Sequence, residues 1–548
     1  MACGPSTATH TTPPGAAPTD TCGELSAEDA WLAEPAAADT APRGSTLPVE
    51  VDVEVSVNPS VLRAQLTTSG LGVHGSVYDN SLHSAALPGE LRTAGVHLIR
   101  WPGGGYSDNY HFATHSMSPF RGDPNNRGYL GPGTDFGSFV RVLDSFDGNA
   151  MITVNYGTNS DDNGPGEPKE AAAWVAYANG AVDDATVIGV DGTGHDWLDV
   201  AFWASLRAAS PLAADDGFNK LRIGRAEPVG IHYWEVGNEL FGNGYYSGQY
   251  YEEDLHVSPT GMRANNPALS PTTYGEGVVR YAAAMKAVDP SIAVGAVLNT
   301  PPADYGWGPS WNRDVMKAAG DAVDFVIVHW YPSGNVEKLL NTPRTVVPEI
   351  MKGLGRTLAT CAPARKQSIE VAVTELGPNS SMPIPSNQSQ ALGLFALESY
   401  ATLLEHGVVN VDWLELHDRS FISERNGTST PGPAYHGVQL VHQLLEPGDH
   451  FVESSSSSPG AVSPHAALRA DGSVTVLLSN LTSNTTAHVS VSIPEPALGT
   501  NAQRFDYAPN NGAVSGAVSG PSDVTAGNAF SVDLAPYSSV TLHIPPAP

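Results

Sequence analysis

Basic residues are scarce. Twenty-seven Lys and Arg stand against 57 Asp and Glu in 548 residues, a formal net charge of −30. That balance argues against a nucleic-acid backbone or an anionic membrane as the main partner, because both need a basic face. Cysteine is nearly missing: Cys3, Cys22 and Cys361 are too few for a disulfide scaffold and show no zinc-ligand spacing. No apolar run approaches the roughly 18 residues of a transmembrane helix. Gly103-Gly104-Gly105 lacks the following Lys-Ser/Thr of a phosphate loop, and no GxSxG marks a serine hydrolase of that type. His111, His115, His329, His417 and His436 form no HExxH or other compact set, so neither a metal nor another cofactor is expected.

What remains is a large globular protein. Hydrophobic residues make up 41% and charged residues only 15%, a balance that supports a sizeable core. Residues 1–46 are rich in Ala, Thr and Pro and poor in aromatics, and read as a disordered tether. Residues 47–58 alternate apolar and acidic side chains, the pattern of a half-exposed strand that joins the C-terminal sheet.

Residues 59–448 alternate short β-branched runs with helical stretches such as 170–179, 274–288 and 388–406. Eight strands are predicted: 71–78, 96–101, 151–155, 232–236, 292–297, 323–329, 369–374 and 408–414. Strands alternating with helices imply parallel βαβ units, and eight of them imply an α/β fold of the (β/α)8 TIM-barrel type. Residues 449–548 lose helical periodicity and carry Asp-Gly, Asn-Asn-Gly and Pro turns, as in an antiparallel β-sandwich.

Barrel chemistry sits at the C-terminal ends of strands. Strand four runs out through Gly237-Asn238-Glu239, and strand seven ends at Glu375. A lone exposed Glu is ordinary. Two Glu at the mouths of strands four and seven are what glycoside hydrolysis requires: one protonates the leaving oxygen, the other attacks the anomeric carbon or activates water. Asn155, at the exit of strand three, is a further candidate for substrate binding.

Trp234-Glu235-Val236-Gly237-Asn238-Glu239 resembles the strand-four signature of retaining clan A glycoside hydrolases. Arg100-Trp101-Pro102-Gly103-Gly104 resembles a segment of the family 51 α-L-arabinofuranosidases, as do the helix from Glu170 to Asn179 and His329-Trp330-Tyr331. The resemblance covers about residues 70–445 plus the terminal sandwich. It implies Glu239 as acid/base and Glu375 as nucleophile. It further implies that Asn238 bonds the sugar 2-hydroxyl, Tyr331 donates to the nucleophile, His329 lines the same floor and Arg100 lies beneath it. Two positions depart from the family: Gly105 replaces its Asn, and the segment from Gly72 to Asp79 lacks its sugar-binding Glu.

Aromatic residues at strand ends suit stacking on sugar rings, foremost Trp413, Tyr245 and Tyr246, then Trp101, Tyr106, Tyr110, Tyr156, Trp307 and Trp330. Asn159, Asp161, Asn163, Gly164 and Glu170 loosely match a calcium loop, though Asn stands at its first position. The opening Met1-Ala2-Cys3-Gly4 resembles a bacterial lipoprotein trimmed to its lipobox Cys, which implies a lipid anchor at Cys3 and a secreted or cell-surface location. The expected activity is α-L-arabinofuranosidase action on plant-type polysaccharide. The alternatives are a retaining β-glycosidase or endo-glycanase acting on xylan or glucan, and a non-catalytic polysaccharide-binding protein.

Overall fold

Eight parallel strands close the central barrel of the computed structural model: β1 (Leu71–His74), β2 (Leu98–Trp101), β3 (Asn149–Val154), β4 (Tyr233–Val236), β5 (Ala293–Val297), β6 (Phe325–Trp330), β7 (Glu370–Leu376) and β8 (Asn410–Trp413). The structure describes Cys22 and residues 49–120, 123, 125–242, 253–256, 269–301, 310–379, 389–508 and 516–548. Cys3, Tyr245, Tyr246 and Trp307 lie outside the described residues, as does the 1–46 segment apart from Cys22.

The strands are short and buried on both faces because helices cover the outside. These include Pro168–Asn179, Pro271–Val288, Val336–Cys361 and Ser389–Glu405. Alternation along each strand sorts the side chains. Trp234 and Val236 point out into the helix-side core, whereas Tyr233 and Glu235 point inward. Leu98, Met151, Ala293, Phe325, Ile327 and Ala372, with Tyr233, form a separate apolar plug at the base of the barrel. Above it the interior turns polar, with Arg100, Thr153, Glu235, Thr374 and Asp412 all buried.

β7 carries an irregularity that matters for the site. Its pairing with β6 and with β8 shifts register after Val373. Strict alternation would send Thr374 inward and Glu375 outward. The extra residue lets both point inward, which is how bulges re-aim side chains.

The second unit is a nine-stranded sheet. Eight strands come from the C-terminal region: β9 (His450–Ser456), β10 (Val462–Leu468), β11 (Val474–Asn480), β12 (Thr485–Ser492), β13 (Asn501–Tyr507), β14 (Val518–Thr525), β15 (Ala529–Leu534) and β16 (Ser538–Ile544). The ninth is Val49–Gln65, which lies between β9 and β12 rather than at an edge. Its inward Val53, Val55 and Val57 share one core with Ala502 from one end of the sheet and Val532 from the other, so the sheet folds over itself as a sandwich. All its pairings are antiparallel except Val49–Gln65 with β12, which is parallel. No hairpin joins those two strands, so nothing forces the antiparallel sense.

One cysteine expectation needs revision. Cys22 and Cys361 form a disulfide that ties the N-terminal region to the end of the Val336–Cys361 helix. Spacing could not reveal it, because 339 residues separate the partners.

Candidate active site

Arg100 organises the mouth of the barrel. It is fully buried and fans its guanidinium over four partners. Nε donates to Glu235 (2.8 Å), Nη1 to Glu375 (2.9 Å) and to His74 Nδ1 (3.0 Å), and Nη2 to Asn238 Oδ1 (2.9 Å). Burial favours the neutral guanidine, but the carboxylates of Glu235 and Glu375 outweigh it and raise its pKa. Burial, then the Arg100 charge, lowers His74 to a pKa of about 3, so it is a neutral acceptor. The Pro-Gly-Gly turn lets β2 approach β1 here. At Gly103, φ is +85° and a Cβ would lie 2.3 Å from His74 Nε2 and 2.4 Å from the Gly75 carbonyl.

Glu375 is buried, and both its oxygens are engaged. Oε1 accepts from Arg100, Oε2 accepts from the Tyr331 phenol, and His329 Nδ1 lies 3.4 Å from Oε2. Burial alone would raise its pKa. The opposing effects of His329, Arg100, His74 and the Tyr331 hydrogen bond hold it at about 2, so Glu375 is ionised.

Glu239 is more open, with 13% of its side chain exposed against 8% for Glu375. Its Oε1 lies 2.7 Å from His329 Nδ1. His329 therefore stands between the two carboxylates, with Nε2 3.2 Å from Thr374 Oγ1. Burial disfavours its charged form, but Glu375 and Glu239 prevail and raise its pKa. One carboxylate oxygen each of Glu239 and Glu375, together with a His329 nitrogen, all lie within 4.8 Å of one another.

Those three side chains also make a metal-sized cluster. The Arg100 guanidinium and the Tyr331 phenol already occupy both Glu375 oxygens, and a fixed cation in contact with a ligand repels a second one.

The structure thus brings Glu239, Glu375, Asn238, Arg100, His329 and Tyr331 into one cluster. Other sequence candidates fall elsewhere. Trp413 is core: alternation turns Asp412 into the barrel and Trp413 outward against Phe395, with its indole N–H donating to Ser420 Oγ (2.9 Å). Asn155 is buried and saturated by the Tyr110 carbonyl and by Thr158, so it braces its own loop instead of facing a ligand. Trp101, Tyr110, Tyr156 and Trp330 are likewise buried, and among the described aromatic candidates only Tyr106 stays partly open. In the calcium-like loop, Asn159 caps the amides of Asp161 and Asn163, and Glu170 turns away to His111 (3.0 Å).

Sequence reasoning missed His74, Asp108, Glu235, Asp412 and Glu415. Glu415 follows the exit of β8, between Leu414, whose N–H bonds the Leu376 carbonyl, and Leu416, whose N–H bonds that of His74. It accepts from the Tyr78 phenol, and burial raises its pKa, with Asp418 and Asp79 adding to the effect. The signal was available: a carboxylate just beyond strand eight, where the chain leaves the barrel.

A closed (β/α)8 barrel with paired glutamates at the exits of strands four and seven is the arrangement that the sequence resemblance to clan A glycoside hydrolases implies. No family model matches the chain. It is similar to the probable α-L-arabinofuranosidase C of Aspergillus fumigatus, 25% identical over 213 residues, covering 36% of this chain and 34% of that protein. It is also similar to α-L-arabinofuranosidase C of Emericella nidulans, 24% identical over 251 residues, covering 43% and 38%. The chain thus spans about a third of the length of the curated relatives it matches. Among solved structures, the α-L-arabinofuranosidase of Thermotoga maritima in its arabinose complex superposes with a TM-score of 0.66 at 16% identity, over 90% of this chain and 99% of that one. The family 51 enzyme of Thermotoga petrophila gives 0.66 at 17%, over 90% and 100%. The family 44 xyloglucanase of Paenibacillus polymyxa gives 0.58 at 12%, over 90% and 100%. The fold of this chain is that of the family 51 arabinofuranosidases.

Proposed function

We propose that the protein is a retaining glycoside hydrolase, an α-L-arabinofuranosidase acting on arabinofuranosides of plant-type polysaccharide. The observation that carries this is the pairing of Glu239 and Glu375, with carboxylate oxygens within 4.8 Å and unequal surroundings. Retention uses carboxyl groups about 5–5.5 Å apart, whereas inversion needs about 6.5–9.5 Å to admit a water. Glu375 is held ionised from below and suits the nucleophile. Glu239 meets His329 through Oε1, is the more open of the two carboxylates, and suits the acid/base.

In the first half-reaction a Glu375 oxygen bonds to the anomeric carbon as the glycosidic C–O bond breaks, and the Glu239 proton passes to the leaving oxygen. In the second, water attacks that carbon, its proton passes to Glu239, and Glu375 departs as carboxylate. Asn238, fixed by Arg100, bonds the sugar 2-hydroxyl.

A second reading, a β-glycosidase or endo-glycanase, draws support from Gly105 and from the strand-one segment without Glu. Similarity to the family 44 xyloglucanase points the same way. The presence of both Glu239 and Glu375 in one cluster speaks against a binding-only protein.

A panel of aryl glycosides separates these readings. Release from the arabinofuranoside alone is expected, and release from xylosides or glucosides alone would overturn the sugar assignment. Glu375→Ala is expected to abolish turnover, with azide restoring part of it by attacking the anomeric carbon in the vacated space. Near-full activity of Glu375→Ala would refute the nucleophile assignment.

A location outside the cytoplasm, with a lipid at Cys3, belongs to the same reading. A disulfide persists in oxidising compartments, and no helix of the described residues is long and apolar enough to cross a membrane. Thiol titration of the unfolded, unreduced chain is expected to find no thiol at Cys22 or Cys361.

A further inference from the structure

Asp108 sits in the short turn Gly104–Asn109 after β2 and is fully buried. It is not one of the four hydrogen-bond partners of the Arg100 guanidinium, which are Glu235, Glu375, His74 and Asn238. Its carboxyl instead joins two strand exits. Oδ1 accepts the N–H of Tyr156 (3.1 Å), beyond β3, and Oδ2 accepts the N–H of Asn238 (3.0 Å), beyond β4. Asn238 directly precedes Glu239.

The turn so fastened is an unusual one. Gly237 has φ +72° and Glu239 φ +41°. A non-glycine residue in the left-handed region is strained and persists only where its surroundings over-determine it. Two further backbone bonds hold the same turn: Gly237 N–H to Val154 (3.1 Å) and Gly242 N–H to Glu239 (2.7 Å). The direction of the Glu239 side chain is therefore set largely by this backbone.

We infer that Asp108 is a positioning residue that aims Glu239 at the leaving oxygen by fastening the Gly237-Asn238-Glu239 turn to the exit of β3. This rests on the glycosidase reading above. The chemistry at position 108 is demanding, because both oxygens must accept. An Asn offers one acceptor and one NH2, so one of the two buried amides would face a donor and lose its partner. A displacement of about 1 Å at a catalytic group can cost about 100-fold.

The test uses the full chain and aryl glycosides of graded leaving-group pKa, reading kcat/KM. For Asp108→Asn, the loss is expected to be about tenfold or less with 2,4-dinitrophenolate and about 100-fold or more with phenolate, because acid help matters most for poor leaving groups. Glu239→Gln, run beside it, should show the same steepening more strongly. Gly237→Ala is the second variant, should Asp108→Asn not fold. Its Cβ would lie 2.8 Å from Leu240 Cδ1 and 2.9 Å from Tyr156 Cβ, so the same turn must move and the same steepening is expected. Equal loss across the series, or none, in variants that fold would overturn the inference while Glu239→Gln still steepens the series. If Glu239→Gln leaves the series unchanged, the acid/base assignment falls, and this inference with it.

Discussion

Arg100 shows how one residue type is dictated by its place. Its guanidinium reaches Glu235, Glu375, Asn238 and His74 together. A lysine carries the same charge at a point and cannot span these directions. Arg100→Lys is therefore expected to lower kcat/KM by about 100-fold or more with the fold retained, as measured by kinetics and circular dichroism. Tyr331→Phe removes one hydrogen bond to a charged oxygen, worth about 1.5–3 kcal/mol. Glu375 is ionised down to a pH of about 2 in the intact protein, so it should not set the acid limb of the pH–rate profile. In Tyr331→Phe its pKa rises, bringing Glu375 into the acid limb that it does not set in the intact protein. Because folding depresses this pKa from 4.5 to about 2, the group stabilises the fold above pH 4.5 and loses that contribution as pH falls toward 2.

At the scale of elements, the eight barrel strands were legible as short, largely apolar segments alternating with helical stretches. Their polar exits marked the two glutamates. Side-chain direction was less legible. Simple alternation sends Glu375 outward, and only the register shift after Val373 returns it to the mouth. Alternation also hides Trp413, which composition alone would place against a sugar. Asp108 and Glu235 escaped notice because a buried carboxyl has meaning only through partners far along the chain. The close approach of β1 and β2 is a further element-scale feature. Gly103→Ala would force a Cβ against the Gly75 carbonyl and His74, at a positive φ. It is expected to cost about 2–4 kcal/mol of stability, since overpacking adds to the left-handed penalty. The urea midpoint checks this, and kcat/KM should fall as His74 and Arg100 shift.

Across the whole molecule, the sandwich is bound to the barrel by a buried ionic cluster. His465 on β10 meets two carboxylates of the Ser389–Glu405 helix: Nδ1 lies 3.1 Å from Glu405 and Nε2 3.4 Å from Glu398. Ser463 also donates to Glu398 (2.6 Å). Burial disfavours the charge on His465, yet Glu398 and Glu405 raise its pKa to about 10. Burial works against ionised Glu398 too, and His465 and Ser463 still lower its pKa. The two groups bound a window. A histidine with a raised folded pKa stabilises fully below 6.5 and loses its contribution as pH rises through about 10. A glutamate with a depressed pKa contributes above 4.5 and loses that as pH falls through its folded value. Attachment of the sandwich should thus be strongest between pH 4.5 and 6.5 and weaken steadily above that. Removing one partner of a buried pair strands the other, at about 3–5 kcal/mol. His465→Leu should therefore lower the urea midpoint at pH 7, and Glu398→Gln in the same chain should recover part of the loss. The intact protein should lose stability between pH 8 and 10.5 beyond what His465→Leu loses. Equal losses in the two proteins over that range would show that His465 is not the charged link between the two units.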